Sequence, residues 1–185
     1  MTRAFTLLEV LIALALFTVM MLAFIQFFIS YNTSYGFERV LVSTSYSARL
    51  LMDEIVEYTL PANQVLTTHT FNGISHTSGP STLVLELPSI DQTGAIIAST
   101  YDYAAFYTDG TSVYEVIEAD PASSRVSRSR LLGDTIYTLS FSYDNVSFPD
   151  VTTVTVDVIT RASYKTQSTE THLREQVYLR NLSSP

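Results

Sequence analysis

The chain has 185 residues, enough for one compact domain and one further element. Its formal net charge of −8 argues against a nucleic-acid partner, because phosphate binding needs a Lys/Arg face. The absence of cysteine excludes a lipidated-cysteine anchor, a disulfide framework, a Cys-ligated zinc site and a cysteine nucleophile, while leaving the compartment open. Hydrophobic residues make up 46% of the chain and only 15% are charged, against about 25% in an average soluble domain. The mean hydropathy of +0.20 owes much to the first thirty residues. The Thr/Ser/Tyr/Val-rich remainder favours strands.

From Val10 to Ile25 there is no charge, and Thr18 is the sole polar residue. The run from Phe5 to Ile29 has four polar interruptions: Thr6, Glu9, Thr18 and Gln26. It reaches the length of about 20 residues that a helix needs to cross a bilayer. A cleaved secretory signal fits poorly, since the run is too long and is followed by "QFFISYNTSYGF" rather than a small-x-small site. A plain membrane anchor fits the length, with Arg3 as a weak cytoplasmic signal. It gives Glu9 no role, although a carboxylate so near the end of the run can snorkel to the headgroups.

A third reading uses the charge. Ala4-Phe5-Thr6-Leu7-Leu8-Glu9 followed by an apolar stretch resembles the processing site of type IV pilins and the related pseudopilins. In that family a short positive leader ends in a small residue, usually Gly. A prepilin peptidase cuts before the next residue, usually Phe, whose amine is then methylated, and the fifth mature residue is Glu. The resemblance implies a leader over 1–4, cleavage between Ala4 and Phe5, and an assembly role for Phe5 and Glu9. Ala4 departs from the usual Gly. The ammonium freed at Phe5 of one subunit would meet Glu9 of a neighbour, each lowering the cost of burying the other.

Helical periodicity continues past Ile29 through Phe37, Val40, Leu41, Ala48, Leu51, Ile55 and Tyr58, and Pro61 ends it. Unbroken, residues 6–59 would form a helix of about 80 Å, with Gly36 as its soft point. The expected division is a leader at 1–4, a membrane-spanning and assembly segment at 5–29, an amphipathic continuation at 30–60 and a β-rich domain at 61–185. From residue 64 onward the period becomes two. Residues 81–88 put Leu83, Leu85 and Leu87 on one face, with Val84 and Glu86 on the other. Residues 100–118 read as a hairpin turning at Thr108-Asp109-Gly110. Over 134–144, Tyr137, Leu139, Phe141 and Tyr143 share a face. Strands are also expected over 150–164 and 171–181, and loops at 71–80, 88–94, 119–130 and 144–150. One helix followed by successive strands predicts an α+β fold, an antiparallel sheet folded on the helix. The closing "VYLRN" resembles the ends of minor pilin-like subunits, the J-type pseudopilins among them.

No catalytic constellation is visible. His69 and His76 fall in a predicted polar loop, and His172 on the surface of a strand. None has metal-ligand spacing, and there is no nucleophile elbow, P-loop or dinucleotide fingerprint. Asp144, Asn145 and Asp150 offer oxygens at no EF-hand spacing. Arg125, Arg128 and Arg130 read as a solvated loop. Tyr101, Tyr103 and Tyr107 share one strand face, with Tyr114, Tyr137 and Tyr143 on others; sheet packing or an adhesive aromatic face would explain them.

The reading is therefore of a non-enzymatic subunit without cofactor or metal. The resemblance implies a minor pilin or pseudopilin of a type IV pilus or a type II secretion-like filament. It further implies insertion in the cytoplasmic membrane with the N-terminus inside, and later extraction into an extracellular or periplasmic fibre. The implied partners are other pilin or pseudopilin subunits, prepilin peptidase, membrane lipid, and a membrane platform with its ATPase. The alternative is a single-pass receptor or adhesin whose β-rich domain binds a ligand outside the cell.

Overall fold

The computed structural model describes residues 6–134 and 136–181. One helix, α1 (Leu7–Thr59), runs for 53 residues, about 80 Å at 1.5 Å per residue. Thr6 is its N-cap, and no proline follows until Pro61. The hydroxyls of Thr18, Thr33, Thr44 and Thr59 donate to carbonyls one turn back, at 2.7–3.0 Å. They are thus satisfied without water, which lets Thr18 sit in an apolar stretch.

Ten strands follow: β1 (Gln64–Val65), β2 (Thr68–Phe71), β3 (Ile74–Thr77), β4 (Thr82–Ile90), β5 (Ile96–Asp109), β6 (Ser112–Glu118), β7 (Arg128–Gly133), β8 (Ile136–Tyr143), β9 (Thr153–Tyr164) and β10 (Gln167–Tyr178). All pair antiparallel, so the α+β architecture is as expected. The single expected sheet is instead three: a five-stranded sheet β1-β4-β5-β6-β7, a three-stranded sheet β10-β9-β8, and the hairpin β2-β3. The helix lies mainly along β9 and β10. Its inner face buries Ala48, Leu51, Met52 and Ile55 in a core with Leu83, Leu85, Leu87, Phe106, Val154, Val156 and Val158. Leu83, Leu85 and Leu87 alternate inward as predicted, while Val84 joins a second, smaller cluster on the outer face.

Several expectations need correction. Residues 71–80 are not all loop: β2 and β3 form a hairpin closed by Asn72 and Gly73, both with positive φ. The β5-β6 turn is one residue later than expected, at Gly110-Thr111, since Asp109 pairs with Ser112. A register shift between Ile136 and Thr138 turns Ile136 inward and Tyr137 out, so Tyr137 leaves the face it was expected to share with Leu139, Phe141 and Tyr143. β10 begins four residues earlier than expected.

Gly36 is no soft point. A Cβ there would come within 2.4 Å of the Tyr164 ring, so the missing side chain is what admits the end of the β9-β10 hairpin against the helix.

Candidate assembly surface

Glu9 occupies the third position of α1. Its Oε2 accepts from Thr6 N at 2.9 Å and from Thr6 Oγ1 at 3.0 Å, while Thr6 Oγ1 accepts from Glu9 N at 3.3 Å. This is a capping box, which satisfies helix N–H groups that have no partner within the helix. Thr-x-x-Glu ahead of an apolar run is its sequence signature, and reading the carboxylate only as a charge overlooks it. Oε1 makes no hydrogen bond among the described residues, leaving an acceptor for a further donor. Ala4 and Phe5 lie outside the described residues, so the Phe5–Glu9 relation has no geometry here.

From Leu7 to Asn32 every residue is exposed. The helix is long and apolar enough to cross a membrane, and no part of its apolar window is buried against the rest of the chain. Beyond Ile29 the apolar character continues on one side. Tyr31, Tyr35, Val42, Tyr46 and Leu50 are all exposed and recur at spacings of four and seven, which puts them on one face, together with the exposed Arg39 and Arg49. Phe27, Tyr31 and Tyr35 stack in sequence, with ring centroids 6.4 and 6.5 Å apart. At 100° per residue the stripe lies opposite the face that Ala48, Leu51 and Ile55 bury. Beyond Ile29 the helix therefore has an apolar face covered by its own sheet and, opposite it, an uncovered face that carries these apolar residues with Arg39 and Arg49 among them.

The three arginines read as a solvated loop prove to be structural. Arg128 and Arg130 alternate on β7 and face Glu115 of β6, which is fully buried between Val113 and Ile117. Arg128 Nε donates to Glu115 Oε2 at 3.0 Å, and Arg130 Nε to the same oxygen at 2.5 Å. Both guanidiniums also reach Glu54 on α1, and Arg128 Nη2 donates to Tyr58 Oη at 3.1 Å. Burial raises the Glu54 and Tyr58 pKa values, and hydrogen bonding to Glu115 raises those of both arginines. The network fastens the helix to β6 and β7. Its sequence signal was the Arg-x-Arg spacing, which is strand period rather than loop. Arg125 donates to Asp102 Oδ2 and to the Pro88 carbonyl, each at 2.7 Å. Burial opposes ionisation of Asp102, but donors from Ser123, Asp120, Arg125 and Ser89 outweigh it and hold its carboxyl below the ordinary range.

His69 and His76 are directly opposed across β2 and β3 rather than in a loop. His69 stacks on Tyr103 at 3.9 Å, with Nε2 3.4 Å from Glu118 Oε2, and His76 packs on Phe71 and Tyr107. Tyr114 stacks on Tyr107, on the same face and not a different one as expected. Burial pushes the His76 pKa down. The neutral ring is thus favoured in the folded state. Its stabilisation is present above the unfolded pKa near 6.5 and is lost as pH falls through the lower folded value. Amide exchange in β2 and β3, corrected for intrinsic rates, is expected to quicken below pH 6.5, and His76→Phe to flatten that dependence.

His172 lies exposed on β10 as expected. Asp144 accepts from Thr152 N at 3.0 Å and Thr152 Oγ1 at 2.5 Å, and Asn145 Oδ1 from Ser147 N at 3.0 Å, so these oxygens close the β8-β9 loop. No group of three or more metal-capable side chains occurs among the described residues.

A family model described as the prokaryotic N-terminal methylation motif, a type IV pilin-like signal, matches residues 1–25. No curated protein and no solved structure matches the chain. The motif covers Ala4, Phe5 and Glu9 and ends inside the exposed apolar helix.

Proposed function

We propose that the chain is a non-catalytic filament subunit, a minor pilin or pseudopilin, cut between Ala4 and Phe5 and methylated on Phe5. It enters the cytoplasmic membrane through residues 5–29 with its N-terminus inside, and its β-rich domain, 61–185, lies outside. Assembly moves the helix from lipid to the flanks of neighbouring helices. Other pilin-like subunits, prepilin peptidase, and a platform with its ATPase are the partners this requires.

The observation that carries this reading is the uncovered stripe Tyr31-Tyr35-Val42-Tyr46-Leu50. A receptor anchor needs an apolar span only inside the bilayer. Here exposed large apolar side chains recur for about 30 Å beyond Ile29 at 1.5 Å per residue, with Arg39 and Arg49 between them, where water would otherwise meet them. Neighbouring helices would cover this stripe along its length.

The native chain has no cysteine, so single-cysteine variants give disulfide cross-links without background. Val42→Cys and Tyr46→Cys are expected to yield cross-links to correspondingly substituted helices of the same or sister subunits in cells that assemble filaments. Ile55→Cys, buried on the domain side, is the negative control. Absence of product at 42 and 46 in such cells would contradict helix-flank assembly.

A further inference from the structure

The uncovered face of α1 carries an ordered set of charges. Tyr35, Arg39, Val42, Tyr46, Arg49 and Asp53 are all exposed, and at 100° per residue they fall within an arc of about 80°. Arg39, Arg49 and Asp53 enter no ion pair among the described residues. Arg49 and Asp53 stand one turn apart, with the cation on the N-terminal side, which is the weaker order for a pair within one helix. Arg174 and Glu175 of β10 flank this stretch at the sheet edge. They are opposite in charge and leave its balance unchanged.

The order of these charges selects how a parallel copy of the helix can lie against this face. In register, Arg39, Arg49 and Asp53 would each meet their own kind, and like charges set face to face repel. A copy displaced outward by four residues, about 6 Å, brings its Arg49 level with Asp53. The same displacement sets its Tyr35 ring level with Arg39 and its Val42 level with Tyr46. An ion pair, a cation–π contact and an apolar contact then replace three repulsions. One like contact is left, Glu57 against the copy's Asp53. A displacement of fourteen residues also opposes Asp53 to an arginine, the copy's Arg39. The filament reading, on which this inference rests, separates the two, because only the shorter displacement also brings the copy's Phe5 level with Glu9. The face lies opposite the one buried by the chain's own sheets, so both domains stay outside such a helix pair.

We propose that a second copy of this chain docks on this face, parallel and displaced outward by four residues. The arginines and the aspartate set the stagger, and the apolar side chains between them supply the contact.

The test uses two differently tagged full-length chains made together in cells that assemble filaments, one with Tyr46→Cys and the other with Val42→Cys. The native chain supplies no competing thiol. The mixed 42–46 disulfide is expected to form. The 42–42 and 46–46 disulfides are expected to be absent, because the displacement carries like positions beyond the roughly 7 Å that a disulfide spans. Asp53→Arg on the Tyr46→Cys chain is expected to cut the mixed product about fivefold, the scale of an exposed ion pair turned to repulsion. Arg49→Asp on the Val42→Cys chain should do the same, and the two reversals together should restore the product. A pair lost within one helix is not repaired from the other chain, so this rescue reads the contact between copies. Asp53→Arg on the Val42→Cys chain faces Glu57 of the other copy instead, and should not lower the yield. Failure of the rescue, or dominance of the 42–42 and 46–46 products, would overturn the staggered pair alone. Cross-links confined to other proteins would overturn self-association and leave helix-flank assembly standing. No cross-link at either position in filament-forming cells would overturn both.

Discussion

Replacing both Arg128 and Arg130 with Ala is expected to destabilise the domain by about 3–5 kcal/mol, because it strands the Glu115 carboxylate without its partners. Glu115 is fully buried, whereas each arginine side chain is about 40% exposed. The two halves of the network are therefore unequal. Removing the acid leaves cations that can turn to water, and Glu54 still holds them. Glu115→Met fills the same inner-face position with an apolar chain of similar length, and is expected to cost less than about 1.5 kcal/mol. Thermal unfolding of the full chain in detergent micelles, comparing the double variant with Glu115→Met, checks the order. A smaller loss for the arginine pair than for Glu115→Met would show that the network is not held by the buried acid.

Glu9→Ala is expected to insert in the membrane normally, yet to enter filaments roughly a hundredfold less than the parent chain. In the proposed fibre Glu9 neutralises the Phe5 ammonium of a neighbour, and breaking a buried pair costs about 3–5 kcal/mol. The capping box gives Glu9 a second role within its own chain, and Ala would lose that too, at about 1 kcal/mol. Glu9→Gln separates the two. Gln can still reach back to the Thr6 N–H but carries no charge. If charge pairing dominates, Gln assembles nearly as poorly as Ala. Near-normal assembly of Glu9→Gln would assign the residue to capping instead. Quantitative blotting of sheared filaments against membrane fractions reads both variants.

The long helix and most strands were legible because their signals are local: a 3.6-residue period running uninterrupted to Pro61, then alternation in β4, β5, β6 and β9. What was missed depends on distant partners or on register. Arg128 and Arg130 look solvated until Glu115 is seen to face inward between Val113 and Ile117. The displacement at Ile136 reverses which of two adjacent apolar residues is inside, and nothing in an alternating run marks where a register shift falls. His69 and His76 looked like loop residues because β2 and β3 are only four residues each and polar on one side. Gly36 gave the opposite impression from its true use, since its contact, Tyr164, lies 128 positions away in sequence. At the candidate assembly site the motif and the apolar run were visible directly. The capping box was equally local, and was hidden only by reading Glu9 for its charge alone.

The central claim is that this chain is trimmed to a new amino terminus from which fibres are built. Intact-mass and peptide mass spectrometry of the protein recovered from its own membranes tests it most directly. The account predicts a chain beginning at Phe5 whose amine carries one added methyl group. A chain that keeps Met1 to Ala4 in cells with an active prepilin peptidase would contradict it.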